Sequence, residues 1–203
     1  AMKRREVYAT TGPRMTLRFF GGWDYKESDA QRSDIAETGY KLGVPMGGDL
    51  IQNNKTRIPT FLIRATKDPD GANLDRVQIV KGWRNKKGKL LEKVYNVAWS
   101  INGKSGHRKI DADGNLPVVG STVNLEDASY QNTIGSPELS VVWTDPDFNK
   151  PEAAVYYVRV LQIPTPRWTT YDAKAYGLKE IQQNPPAVIQ ERAYSSPIWY
   201  TPQ

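Results

Sequence analysis

A mainly β fold, an antiparallel β-sandwich with Ig-like or Greek-key-like connections, is the fold class that the sequence predicts. Eight segments are rich in β-branched and aromatic residues, and in most of them apolar and polar positions alternate. Tight-turn sequences such as DPDG at 68–71 and DADGN at 111–115 separate them. The predicted strands are residues 7–11, 15–25, 57–66, 74–82, 90–99, 138–144, 153–163 and 187–199.

Two of these segments predict different environments. RIPTFLIRAT, at 57–66, has apolar residues at both odd and even positions, so we expect both faces of that strand to be covered. LDRVQIVKGW, at 74–83, sets apolar residues such as Val77 and Ile79 against polar ones such as Asp75 and Lys81. This pattern predicts a strand with one face in water.

Helical patterns are scarce, and only one or two short helices are expected. Residues 29–42 predict one, ending before Gly43, and residues 169–178 predict another, closed by Gly177. Residues 100–137 are rich in Gly, Asn and Ser and predict a long excursion with one short strand near 121–125.

The composition sets limits on the class of protein. A chain of 203 residues with 38% hydrophobic and 10% aromatic residues can bury a core of its own. The absence of cysteine excludes disulfides and thiolate chemistry. The sequence holds no apolar run near the roughly 18 residues of a membrane span, so none is expected.

The formal charge of +6 is unevenly distributed, because residues 81–109 hold nine basic residues and one acidic residue. This block contains Trp83, Tyr95 and Trp99, which could stack on bases beside a phosphate-binding surface. All three lie on predicted strands, where aromatic side chains more often fill a core or a cross-strand pair. Nucleic acid is therefore not the partner that we expect.

The opening sequence AMKRREVYATTGPRM predicts the last turn of a helix followed by a strand. One helical turn is not stable alone in water. We therefore expect residues 1–14 to be the tail of a preceding domain, with residues 15–203 forming the sandwich.

The segment LQIPTPRWTTYD carries the candidate binding residues. Pro164 and Pro166 end the preceding strand and stiffen a loop that presents Arg167 and Trp168, with Tyr171 behind them. A planar cation beside an aromatic ring is typical of binding hot spots. The structural alternative is that Trp168 caps the sandwich and that Arg167 pairs with Asp172.

A catalytic metal centre is not expected within this chain. A zinc site usually needs three protein ligands, whereas His107, in a basic loop, is the single histidine and cysteine is absent. Asp-rich turns at 68–75 and 111–115 could gather oxygen ligands for Ca²⁺, but Asp and Gly are equally the residues that such turns need.

The segments RREVYATTGPRM, GVPMGGDL, VWTDPDF, YYVRVLQIPTPRWTTYDA and QERAYSSPIWYTP resemble the C-terminal region of the bacterial domain-of-unknown-function family 3604. The resemblance implies a preceding metal-dependent hydrolase domain of the PHP (polymerase and histidinol phosphatase) superfamily, where divalent Zn, Mn or Fe would be bound. It also implies that this chain contains no cofactor, and it slightly favours a periplasmic or secreted location.

The sequence and the resemblance together predict a non-catalytic accessory domain that packs on its own N-terminal catalytic domain and contributes to the rim of the active site. In that arrangement Thr11 and Arg14, in the TTGPR turn, would face the catalytic domain together with Arg167, Trp168 and Tyr171. Contacts between copies of the chain are a further expectation. The alternative is a stand-alone module that binds a carbohydrate or a phosphorylated ligand.

Overall fold

The computed structural model describes residues 1–51, 57–178 and 186–202. These residues form a mainly β structure with antiparallel sheets, as the sequence predicts. The strands are β1 Tyr8–Thr10, β2 Thr16–Gly22, β3 Gly43–Pro45, β4 Asp49–Ile51, β5 Thr60–Thr66, β6 Leu74–Arg84, β7 Leu90–Trp99, β8 Asn102–Gly103, β9 Gly106–His107, β10 Glu138–Thr144, β11 Ala154–Gln162, β12 Thr165–Pro166, β13 Val188–Ile189, β14 Arg192–Ser195 and β15 Ile198–Thr201. The α-helices are α1 Ile35–Leu42 and α2 Trp168–Ala175, and 3₁₀ helices cover Met2–Arg4 and Glu27–Gln31.

The larger sheet is organised around β11. One side of β11 pairs along its whole length with β6, and β7 pairs with the far side of β6. The other side of β11 is shared, because its first half pairs with β15 and its second half with β14. β1 extends the sheet beyond β14, and β4 pairs with β15 in parallel.

The smaller sheet has the order β10-β5-β2-β3 and is antiparallel throughout. Its inner side chains meet those of the larger sheet in one buried cluster. Phe61 of β5 packs at 4.5 Å between ring centroids on Tyr156 of β11, and both side chains are fully buried. Burial of such aromatic and aliphatic side chains supplies the main driving force for joining the two sheets.

The predicted double burial of the 57–66 strand is confirmed. Phe61 and Ile63 face the larger sheet, whereas Leu62 faces a second cluster with Phe20 and Ile35 under α1. The outer face of the smaller sheet is thus covered by the segment that contains the 3₁₀ helix Glu27–Gln31 and α1.

The prediction that β6 has one wet face is wrong. Asp75 and Lys81 are only 1% and 2% exposed. The Lys81 ammonium donates to Asp145 Oδ2 at 2.6 Å, and the Tyr156 hydroxyl donates to the same oxygen at 2.7 Å. Partners from distant strands therefore make burial of this charge tolerable.

A second buried ion pair fastens the excursion at 100–137. Arg108 Nη2 lies 2.7 Å from Asp75 Oδ1, and the guanidinium also donates to the carbonyls of Ser100 and Pro117. The predicted strand near 121–125 is reduced to one bridge, between Asn124 and Ser129.

Three other predicted elements differ from those in the structure. The 29–42 helix is a 3₁₀ turn at Glu27–Gln31 followed by the shorter α1. The 187–199 strand is divided into β13, β14 and β15, because Pro197 and the exchange of partners along β11 interrupt it. At the N-terminus the predicted helical turn is a 3₁₀ turn, Met2–Arg4. It ends at Arg5, whose φ of 60° is left-handed.

Candidate functional site

The loop after β11 places α2 at the surface as the sequence predicts. β11 ends at Gln162, and Pro166 lies in the two-residue pairing of β12 with β13. Thr170 anchors the helix by donating its hydroxyl to the carbonyl of Ala187 at 2.7 Å. Because Thr170 and Ala173 are buried, the opposite face of α2 is left in solvent.

Trp168 and Tyr171 occupy that open face, one turn apart. Their side chains are 66% and 44% exposed. A Trp that covered the core would be far more buried, so the alternative in which Trp168 caps the sandwich is wrong. The two rings are available for contact with another molecule.

Arg167 lies at the start of α2 and is held against the backbone of the segment at 186–187. Its main-chain N–H donates to the carbonyl of Ala187 at 2.8 Å, and its Nε donates to the carbonyl of Pro186 at 2.7 Å. The guanidinium therefore fastens the start of α2 to the backbone at 186–187, in place of the pairing with Asp172 considered above.

Thr11 and Arg14 lie in the turn after β1, next to the same region. The Thr11 hydroxyl donates to the Glu191 carboxylate, and its oxygen accepts the main-chain N–H of Arg192 at 2.9 Å. The main-chain N–H of Arg14 donates to Asp68 Oδ2 at 2.7 Å, and its guanidinium lies 3.2 Å from Asp70 Oδ2. The two residues thus fix a carboxylate and an acidic turn.

These contacts surround a cleft of about 230 Å³, which we call the aromatic cleft. Its lining residues are Pro13, Gly71, Ala72, Tyr130, Gln162, Thr165, Pro166, Trp168, Tyr171 and Glu191. The structure therefore places Trp168 and Tyr171 in the lining of the cleft. Thr11, Arg14 and Arg167 lie outside the lining, and Thr11 contacts it through Glu191.

The electrostatics of the aromatic cleft favour neutral phenols in its lining and an ionised Asp68 nearby. Burial raises the pKa of Tyr171, and the nearby phenol of Tyr130 adds to this effect. Burial and the charge of Asp68 raise the pKa of Tyr130. Main-chain N–H groups of Arg14 and Asp70 lower the pKa of Asp68, so that carboxyl remains ionised.

The lining residues that sequence reasoning missed include Tyr130, Gln162 and Glu191. Tyr130 belongs to the excursion and carries no periodic signal, and Gln162 is the last residue of a buried strand. Glu191 immediately precedes β14 and pairs across the sheet with the turn after β1. Long-range contacts bring these segments together: the main-chain N–H of Gln162 donates to the carbonyl of Glu191, and Asn73 donates to the carbonyl of Asn132, two residues after Tyr130.

Two of the three aromatic residues of the basic block pack against the core. Trp83 and Tyr95 contact the cluster between the sheets, and the Tyr95 ring is tilted against Trp143 with ring centroids 4.9 Å apart. Trp99 is half-buried, and its indole donates to the carbonyl of Arg108. Trp83 and Tyr95 thus match the core-filling interpretation of these side chains.

Within residues 1–51, 57–178 and 186–202, no three His, Asp or Glu side chains are arranged to hold a metal ion. Neither α1 nor α2 is long and apolar enough to cross a bilayer.

The comparisons with known proteins agree with one part of the sequence analysis. No curated protein and no solved structure matches the chain. A family model does match, over residues 1–202, and it is described as a protein of unknown function, DUF3604. A match over almost every residue shows that the chain belongs to this family.

Proposed function

We propose that this chain is a non-catalytic accessory domain of a PHP-like metal-dependent hydrolase, with residues 1–14 as its link to that domain. In this proposal the two sheets form a Greek-key β-sandwich, and the aromatic cleft with α2 is the surface that contacts the catalytic domain. The metal ions and the chemistry belong to that domain. The open position of Trp168 and Tyr171 beside a concave cleft carries the proposal.

Exposed aromatic rings on a fastened helix suit a docking surface. Trp and Tyr are the residues most enriched among interface hot spots. Arg167 and Thr170 tie the start of α2 to the 186–187 backbone, so that little additional ordering of this segment is needed when a partner binds.

The polar wall of the aromatic cleft would give such a contact its specificity. Glu191 is partly buried, and Thr11 holds its carboxylate in place. A carboxylate in this position accepts hydrogen bonds from a Lys, Arg or main-chain N–H of the partner, and such charge-assisted bonds are stronger than neutral ones.

A carbohydrate-binding module is the second candidate, and the concave form of the cleft favours it. Aromatic rings together with carboxylate, amide and phenol groups can pack on a sugar ring and hydrogen-bond its hydroxyls. A phosphorylated ligand fits less well, because Arg14 and Arg167 already bind Asp70 and the carbonyl of Pro186.

Hydrogen exchange tests the accessory role by comparing this chain alone with the full-length protein that the proposal implies. We expect the amides of α2 to exchange more slowly in the full-length protein than in this chain alone, because the catalytic domain would cover them. Trp168→Ala with Tyr171→Ala in the full-length protein should remove that protection. Trp199→Ala is the matched control, since Trp199 is 43% exposed on β15 and lies outside the cleft lining.

The outcomes separate the two candidates. Equal exchange of α2 in the two proteins contradicts docking at this surface. Quenching of Trp fluorescence in this chain by glucose, galactose or N-acetylglucosamine, lost in Trp168→Ala and kept in Trp199→Ala, favours the carbohydrate module instead.

A further inference from the structure

A second and larger concavity lies where the edges of the two sheets meet. This edge groove has a volume of about 570 Å³ between the end of β7 and the start of β10. Its lining residues are Val97, Ala98, Trp99, Ile101, His107, Arg108, Lys109, Leu139, Ser140 and Val141. Most of these are apolar, and Leu139 and Val97 also belong to the core between the sheets. The groove therefore opens onto the hydrophobic core.

Each of the two strands beside the edge groove is the last strand of its sheet. In the part of the chain that the structure describes, β7 pairs with β6 alone and β10 pairs with β5 alone. Each strand consequently presents a row of main-chain N–H and C=O groups that a further strand could bind.

The two edges differ in protection. The pairing of β7 with β6 contains a register shift at Val77/Gln78, and β7 carries Glu92 and Lys93. Register shifts and charged side chains are common devices against strand addition. β10, with the sequence ELSVVWT, carries one charged residue, Glu138, whose carboxylate lies 3.6 Å from Arg64 Nε of the neighbouring β5. It contains neither Lys nor Pro and pairs with β5 over all seven residues without a shift. The open edge of β10 is thus the less protected of the two.

The rim of the edge groove is basic. His107 and Lys109 are exposed there, at the end of the block that holds nine basic residues and one acidic residue. Arg108 is turned inward and paired with Asp75. A second copy of this chain would bring the same positive rim to the contact, whereas a partner with carboxylates would be attracted to it.

We propose that the edge groove binds an extended peptide segment of another protein, which adds a strand to the open edge of β10. Alternate apolar side chains of the segment enter the groove between Val97 and Val141, and a carboxylate reaches Lys109 at the rim. Strand addition of this kind takes affinity from main-chain hydrogen bonds and specificity from alternate side-chain pockets. This proposal is independent of the function of the aromatic cleft.

A designed peptide set tests the proposal on this chain in solution. The probe is fluorescein-labelled Asp-Val-Thr-Val-Thr-Val-Asp-amide, and anisotropy measures its binding at low salt. One comparison peptide replaces both Asp by Lys, and another carries N-methyl groups on alternate main-chain nitrogens. We expect the N-methylated peptide to bind about tenfold more weakly or worse, since two or more main-chain hydrogen bonds are lost.

The protein variants address the rim. Lys109→Glu should weaken binding of the Asp peptide by roughly three- to tenfold and remove its preference over the Lys peptide. Lys104→Glu is the matched control, because Lys104 is exposed in the turn between β8 and β9, five residues before Lys109, but lies outside the groove lining. Trp168→Ala should bind the peptide as the parent does.

Equal binding of the N-methylated peptide would overturn strand addition, and equal binding of the Lys peptide would overturn the choice of an acidic partner. Sedimentation of the chain alone as a dimer that Val141→Lys dissociates would assign the edge to a second copy and contradict the proposal.

Discussion

Two regions of the molecule each combine a tyrosine with a carboxylate, but the first buries these side chains and the second leaves them near the surface. Between the sheets, the buried side chains of Lys81 and Tyr156 both donate to the buried Asp145 carboxylate. At the aromatic cleft, Trp168, Tyr171 and Glu191 stand at the surface with room beside them. The difference teaches that a charged or aromatic side chain is a candidate for binding only where the fold leaves it accessible to another molecule. We expect the first region to govern stability and the second to leave it nearly unchanged.

The largest effect is expected at Asp145. Asp145→Ala leaves the Lys81 ammonium buried without its carboxylate and removes the acceptor of the Tyr156 hydroxyl. Breaking a buried pair in this way costs about 3–5 kcal/mol in the free energy of unfolding. Urea denaturation of the variant measures it, and a loss below about 1 kcal/mol would contradict the buried pairing. The double variant Lys81→Met with Asp145→Ala should recover part of the loss.

A smaller loss is expected for Arg108→Ala, about 2–3 kcal/mol, because Asp75 keeps hydrogen bonds from Arg76 and Gln190. Burial lowers the pKa of Arg108, while the charge of Asp75 opposes that change. Arg108→Lys should restore little, since an ammonium lacks the planar set of donors that reaches Ser100 and Pro117.

Hydrogen exchange separates the local from the global consequence of Arg108→Ala. We expect residues 100–119 to exchange faster in that variant, while the amides of β11 keep most of their protection. Uniform loss of protection across both regions would contradict the role of Arg108 as a fastener of the excursion.

The smallest effect is a pH dependence at Asp147, on the exposed side of the Asp145 network. Hydrogen bonds from Lys93 and Tyr95 lower the pKa of the Asp147 carboxyl. Its contribution to stability is present above the ordinary Asp pKa and is lost as the pH falls through the lowered value. Because the side chain is 44% exposed, we expect Asp147→Asn to cost less than about 1 kcal/mol at neutral pH.

Thermal melts between pH 7 and pH 2.5 check the Asp147 prediction. The difference in Tm between the parent and Asp147→Asn should shrink as the pH falls, whereas Glu92→Gln, exposed on β7, should show no such trend. A difference that grows on acidification would contradict the sign.

Much of the fold could be predicted because the local patterns agree with the tertiary environment. β7 and β10 match the predicted segments residue for residue, and both faces of β5 are covered as expected. Short strands are harder to predict from the sequence. β4 pairs in parallel with β15, from the far end of the chain, and a strand of three residues is too short for its alternation to indicate such a partner.

For the candidate site, sequence reasoning identified Trp168 and Tyr171 but missed polar lining residues such as Gln162 and Glu191. The prolines and the aromatic pair identified Trp168 and Tyr171, since stiff loops with large aromatic residues are a local signal. The sequence also predicts a binding role for Arg167, and the structure adds a hydrogen bond from its Nε to the main-chain carbonyl of Pro186, which no pattern of side chains encodes.

The sequence by itself determined the mainly β class, the positions of the long strands and the aromatic loop, because strand alternation and turn chemistry are written in neighbouring residues. Only the tertiary structure decided which charges are buried and which surfaces stay open. Lys81 and Asp145, or Thr11 and Glu191, meet only after distant strands have paired. A contact of that kind depends on three-dimensional register, and a pattern along the chain does not contain it.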